Sequence, residues 1–232
     1  MPKTIAIVED EPAIRDNYAE LFRRQGYRVE TYAERGEASR ALSQRLPDLA
    51  LLDIALGDDY DGGFELCREL RALSPTLPII FLTARDADID VVAGLRVGAD
   101  DYVSKSASLH QLGARVSALF RRADAGGTHD EKDRTITCGP LQLNPDRMRV
   151  LWHGDSVDLT VTELWILHAL VAHPGHVKSR EQLMEAANTF VDLATITSHI
   201  KRMRRKFAQI DPAFDAIEAV YGAGYRWRQT GD

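Results

Sequence analysis

Short apolar runs alternate with stretches of helical spacing through the first half of the chain. Thr4–Val8, Leu49–Leu52 and Pro78–Leu82 are nearly continuous in apolar residues, as parallel strands covered on both faces should be. Tyr27–Tyr32 and Asp100–Val103 are two further strand candidates. Between the strands, Pro12–Gln25 sets Ile14, Tyr18, Leu21 and Phe22 on one helical face and stops at Gly26. Arg35–Leu46 ends at Pro47, and Phe64–Leu73, Asp86–Val97 and Ser108–Arg122 complete the set of helices. Five successive βα units predict an α/β fold with a doubly wound, five-stranded parallel sheet over residues 1–122.

The pattern then changes. Residues 123–135 combine paired glycines, mixed charges and no apolar period, which predicts a flexible linker. Over 136–158, short alternating segments are broken by Gly139, Pro140, Asn144-Pro145 and Gly154, the signature of an antiparallel meander. Thr160 with Glu163 and Ser179 with Gln182 are capping boxes that open two helices, the first running through Leu164–Val171 to a stop at Pro174-Gly175. A third helix is predicted over Ala194–Gln209, followed by a hairpin ending in Tyr221-Gly-Ala-Gly-Tyr225. Three helices and a hairpin predict that 136–232 is an α+β winged helix-turn-helix domain.

Composition narrows the function classes. The 232 residues are 44% apolar, enough for packed cores, and no run approaches membrane-spanning length. The start, MPKTIAIVED, is not a signal peptide. Two distant cysteines, Cys67 and Cys138, have no metal spacing, so free thiols in a reducing cytoplasm are expected. The net charge of −6 rules out nucleic-acid binding through bulk positive charge and requires a local basic patch.

The candidate chemistry collects at one edge. Glu9, Asp10, Asp53, Thr83 and Lys105 each follow or end a predicted strand, so in a parallel sheet all emerge at its carboxyl edge, where open α/β sheets carry their sites. A carboxylate at Asp53 can act as a nucleophile toward phosphorus. Asp10, Asp53 and the carbonyl of Ala55 can supply oxygens to Mg²⁺, with Glu9 in support. Lys105 and Thr83 can meet phosphoryl oxygens with an ammonium and a hydroxyl. Any one such residue is more often a helix cap or turn residue; the joint arrangement is what carries the reading.

Residues 3–122 resemble a response-regulator receiver domain. The matching residues are Ile7-Val-Glu-Asp-Glu11, Leu51-Leu-Asp53, Phe81-Leu-Thr-Ala84, Gly98-Ala-Asp-Asp-Tyr102 and Lys105. The resemblance implies that Asp53 accepts a phosphoryl group from a sensor histidine kinase and that Thr83 and Tyr102 form a switch pair. It also implies a homodimer, with Asp100, Asp101, Arg115 and Arg122 as candidate ion-pairing residues. Two departures stand out. Ser106 follows Lys105 where the family usually has a proline behind a cis bond; a non-proline cis bond costs about 2.5–4 kcal/mol, so cis and trans both stay open. The loop after Asp53 is longer and more acidic than usual, with Asp58, Asp59 and Asp61.

In the second half, Ile196, Ile200, Met203 and Phe207 make one buried stripe on the predicted third helix. The opposite face carries Ser198, Lys201, Arg202 and Arg205, flanked by Arg204 and Lys206. Such a face suits the major groove. Residues 136–228 resemble the winged-helix effector domain of the OmpR/PhoB class, on Leu159-Thr-Val-Thr-Glu163, His173-Pro-Gly175, Ser179–Leu183, Thr195–Phe207 and Gly222–Arg226. The resemblance makes Ala194–Gln209 the recognition helix and the Tyr221–Trp227 hairpin a minor-groove wing, with Tyr221 and Arg226 as contacts. Tyr221 stands where the family often has arginine. Binding to direct-repeat half-sites in duplex DNA is implied, with RNA polymerase a further partner through the loop 186–193.

The expectation is therefore a cytoplasmic two-component transcription regulator with no enzymatic output beyond self-phosphoryl transfer and autodephosphorylation. The competing reading is a phosphorylation-independent DNA binder whose receiver serves for dimerisation or protein docking. An enzyme output is disfavoured, because His153, His168, His173, His176 and His199 are scattered, and His199 lies beside the apolar stripe as a structural residue would.

Overall fold

The computed structural model describes residues 2–83, 97–124, 135–187 and 193–229, with the side chains of 122–124 and 193–194 left aside. All of the predicted helix over Asp86–Val97 except Val97, nearly all of the linker and most of the loop 186–193 thus lie outside the described residues. The chain forms two compact units, Met1–Ser117 and Ala118–Asp232.

In the first unit, β1 (Thr4–Val8), α1 (Pro12–Arg24), β2 (Arg28–Tyr32), α2 (Arg35–Gln44), β3 (Leu49–Asp53), α3 (Gly62–Leu73), β4 (Ile79–Thr83) and β5 (Asp101–Ser104) follow one another, and α4 (Leu109–Asp124) begins there and continues past Ser117. The strands form one sheet in the order β2-β1-β3-β4-β5. Every pairing is parallel. Ile5–Val8, Leu49–Leu52 and Ile79–Leu82 are wholly buried, which is why their sequences are continuously apolar rather than alternating. Ala6, Val8, Ala50, Leu52, Ile79 and Phe81 share a core with Leu42 of α2 and Phe64, Leu66 and Leu70 of α3. Pro12 occupies the first turn of α1, and Gly26 at φ +88° takes the left-handed position that ends it. Ser108 caps α4 through Gln111 N at 3.2 Å, and Gln111 Oε1 accepts from Ser108 N at 3.2 Å. Gln111 thus completes a capping box.

In the second unit, β6 (Ile136–Cys138), β7 (Leu141–Asn144), β8 (Arg149–Trp152) and β9 (Asp155–Ser156) form the expected antiparallel meander. Then come α5 (Val161–Val171), α6 (Arg180–Ala186), α7 (Leu193–Ile210) and the hairpin β10 (Ile217–Val220)–β11 (Gly224–Trp227). Both capping boxes, Thr160/Glu163 and Ser179/Gln182, are formed. Ile196, Ile200, Met203 and Phe207 are buried together with Leu164, Leu167, Leu141 and Trp227. The Phe207 and Phe214 rings stack at 4.4 Å, and Trp152 meets Phe207 edge-on at 5.6 Å, fixing α7 against the meander. No helix among the described residues is long and apolar enough to cross a membrane.

Candidate functional site

The carboxyl ends of β1 and β3 bring Glu9, Asp10 and Asp53 together: one ligand oxygen from each lies within 4.8 Å of the others. Lys105, just past β5, ties the group. Its Nζ donates to Glu9 Oε1 at 2.7 Å and to Asp53 Oδ2 at 2.8 Å. Burial lifts the Glu9 carboxyl to about 7, with Asp53 adding to the rise and Lys105 opposing it. Burial also raises Asp53, against the Lys105 hydrogen bond. For Lys105, burial pulls downward, but the hydrogen bonds to Asp53 and Glu9 prevail and hold the ammonium above the ordinary lysine value. The second Glu9 oxygen, Oε2, is buried with no hydrogen-bond partner. An all-oxygen donor set with one buried orphan oxygen fits a hard divalent cation such as Mg²⁺.

The loops are built around this cluster. Arg15 Nη1 donates to the carbonyls of Glu9 and Asp10 at 2.7 and 3.1 Å, pinning the β1–α1 turn. Gly57 N donates to Asp10 Oδ2 at 3.1 Å, so the long loop after β3 orients that carboxylate. Gly63 packs so closely that a Cβ there would sit 1.9 Å from the carbonyl oxygen of Asp53. The Lys105–Ser106 bond is trans, as are all described peptide bonds. Lys105 N donates to the Thr83 carbonyl at 2.6 Å, and the hydroxyls of Ser104 and Ser106 meet at 2.7 Å, so serines brace the loop without proline. The Thr83 and Asp53 side chains are both buried.

The basic helix is sorted by partners that lie far away in sequence. Arg202 is buried, with Nε 2.9 Å from Glu163 Oε1 and Nη2 2.6 Å from His199 Nδ1. This corrects the expectation that Arg202 faces DNA: it is an internal counter-ion. Burial alone would raise the Glu163 carboxyl; Arg202 and Lys206 overcome it and hold the group at about 2. Lys206 donates to Glu163 Oε2 at 2.6 Å, and Arg204 binds the Ile217 carbonyl through Nε and Nη2 at 3.1 and 2.7 Å. Lys201 and Arg205 are exposed, Ser198 is half-buried, and Thr197 is exposed with its hydroxyl 3.3 Å from the Tyr225 hydroxyl.

Known proteins share both halves of this arrangement. Residues 5–117 match the response regulator receiver domain family, and residues 154–227 match the family described as transcriptional regulatory protein, C terminal. The chain is 36% identical over 230 residues to the transcriptional regulatory protein CreB of Escherichia coli, covering 97% of this chain and 98% of CreB. It is 39% identical over 230 residues to the phosphate regulon transcriptional regulatory protein PhoB of Rhizobium meliloti, covering 97% of this chain and 98% of PhoB. This chain belongs to the OmpR/PhoB class of response regulators. Among solved structures, the Thermotoga maritima regulator DrrB covers 98% of the chain at 30% identity with a TM-score of 0.51. A point mutant of RitR, at 24% identity and a TM-score of 0.74 over 98% of the chain, shares the fold.

As a response regulator, the chain is a transcriptional regulator of the two-component type. The residues singled out for its switch and dimer fall unevenly. Tyr102 is buried, its ring 5.8 Å from that of Phe81. Asp100 is wholly buried, with Oδ2 accepting from Arg71 Nη2 at 2.7 Å and from Ile79 N at 3.0 Å. That corrects its assignment to the dimer surface: it holds β4 and α3 in place. Asp101 pairs with Arg115 of the same chain at 3.0 Å, and both are largely buried. The Arg122 side chain lies outside the described residues. On the wing, Arg226 Nε donates to Glu218 Oε2 at 2.7 Å, and Tyr221 is fully exposed. Sequence reasoning passed over Arg15 and the Glu163–Arg202 pair. Arg15 had a signal, a cation one turn into the helix that follows the acidic pair.

Proposed function

We propose that Asp53 is the phosphoacceptor of a regulator made of a receiver over 1–122, a linker over 123–135 and a DNA-binding domain over 136–232. The observation that carries this is Lys105 bridging Asp53 and Glu9 beside the orphan Glu9 oxygen. In the reaction, an Asp53 carboxylate oxygen forms the new O–P bond. The P–N bond of a sensor kinase's phosphohistidine breaks, and its electron pair leaves with the imidazole. Lys105 stays against the acceptor and can follow the charge onto a phosphoryl oxygen, while the Thr83 hydroxyl is the candidate to meet another. Glu9, Asp10, Asp53 and the Ala55 carbonyl would hold Mg²⁺, whose charge offsets that of the entering phosphoryl group. Water attack at phosphorus later breaks the Asp53 O–P bond, releases inorganic phosphate and returns Asp53 to its carboxylate.

Phosphorylation then favours a homodimer that occupies direct-repeat half-sites on promoter DNA in the cytoplasm, with RNA polymerase as a downstream partner. Two half-sites combine their contributions, which a single small basic patch needs. The experiment is phosphate-affinity electrophoresis with acetyl phosphate and Mg²⁺, followed by gel-shift titration. A retarded band lost in Asp53→Ala, with tighter DNA binding only for the phosphorylated protein, is expected. Equal DNA affinity for the phosphorylated, unphosphorylated and Asp53→Ala proteins would overturn the switch and leave a phosphorylation-independent DNA binder.

A further inference from the structure

The wing is anchored rigidly. Lys178 N donates to Tyr225 O at 2.7 Å, Tyr225 N to Lys178 O at 2.9 Å, and Gly175 N to Trp227 O at 2.8 Å. Gly224 stands at φ +138°, and a Cβ there would fall 2.1 Å from the Lys178 carbonyl oxygen. The second strand of the hairpin is thus tied to the segment that precedes α6. At the hairpin tip Tyr221 is fully exposed, the extreme case among the exposed large hydrophobic residues described. Its neighbours Gly222 and Ala223 are small and exposed as well.

The hairpin's cations are already matched. Glu218 accepts from Arg226 Nε at 2.7 Å and from Arg228 Nε at 2.6 Å, and Arg228 also pairs with Asp215. Two guanidiniums and two carboxylates leave this cluster with no net charge. Exposed pairs of this kind are weak, so an arginine can turn toward a phosphate. Glu218 then travels with it, and the local charge brought to the backbone stays near zero. On α7, by contrast, Lys201 and Arg205 are exposed cations with no ion pair among the described residues.

We propose that the wing meets the DNA minor groove as an uncharged aromatic contact: the Tyr221 ring packs on deoxyribose faces, and Glu218 and Asp215 remove the wing from the phosphate-binding term. This rests on the reading that the second unit binds duplex DNA. An inserted arginine gains from the deepened negative potential of a narrow A·T-rich groove. A neutral ring does not, so this wing selects groove shape more than A·T content. Salt dependence then comes from α7 and its surroundings.

The test uses the full-length protein and a duplex it enriches from a random-sequence pool, with affinity measured across a salt series. Tyr221→Ala should bind about tenfold more weakly, equivalent to about 1.4 kcal/mol, at every salt concentration and with the slope unchanged. Tyr221→Phe should stay within about twofold, since the ring carries the contact. Tyr221→Arg and Glu218→Gln should each steepen the slope of log K against log salt by about 0.9 per bound protomer. Parent-like affinity in Tyr221→Ala, a loss in Tyr221→Phe equal to that in Tyr221→Ala, or an unchanged slope in Glu218→Gln would overturn the proposal. Lys201→Ala separates the two levels. If it weakens binding while Tyr221→Ala does not, only the wing inference fails; if no duplex is enriched from the pool, the DNA-binding reading itself fails.

Discussion

Lys201 and Arg202 are adjacent on α7, yet one faces solvent and the other is buried against Glu163. Removing each should have opposite signatures. Arg202→Ala strands a buried carboxylate and should destabilise the second unit by about 3–5 kcal/mol, read as a lowered melting transition. Lys201→Ala should leave melting unchanged and weaken DNA binding. Glu163 gives the pH dependence. Its carboxyl is held at about 2 in the fold against 4.5 in the unfolded chain. The stability it supplies is therefore complete above pH 4.5 and is lost as pH falls toward 2, a loss of about 3 kcal/mol. Melting of Glu163→Gln should be lower than the parent's at pH 7, with the gap narrowing below pH 4.5 and closing only as pH falls to about 2.

The strands were legible because burial on both faces leaves a nearly continuous apolar run, and the helices because caps and apolar spacing agree with one another. The carboxyl-edge cluster was legible for the same reason: strand ends fix where Asp53, Glu9 and Lys105 emerge. Partners that meet only in three dimensions were not. A helical wheel sends Arg202 outward, and the apolar run Leu164–Val171 gives no hint that Glu163 must be neutralised from α7. Asp100 reads as a surface acid until Arg71, 29 residues earlier, closes on it. The loop after β3 is an element whose shape has a direct chemical consequence. Gly63→Ala would push a Cβ into the Asp53 carbonyl, so the acceptor must move. Labelling with acetyl phosphate should fall at least tenfold, about 1.4 kcal/mol, while DNA binding by the unphosphorylated protein is unchanged.

At the scale of the whole molecule, a chain of net charge −6 has to bind a polyanion through a few cations on one helix. One protomer should therefore bind weakly and with strong salt dependence, and pairing of protomers should raise occupancy. Sedimentation of the protein with acetyl phosphate and Mg²⁺ should shift toward the dimer mass, and Asp53→Ala should remain monomeric under the same conditions. Since Asp101 and Arg115 are already matched inside one chain, the dimer contact should draw little from that pair, and Arg115→Ala should perturb protomer stability more than dimer affinity.

Glu163 also does two jobs at once: it caps the first turn of α5 and neutralises Arg202 and Lys206 of α7. Loosening of that first turn should therefore release α7 as well, so that the two do not open independently. Amide hydrogen exchange should show the start of α5 and the middle of α7 exchanging as one cooperative unit, a unit that Glu163→Gln would split in two.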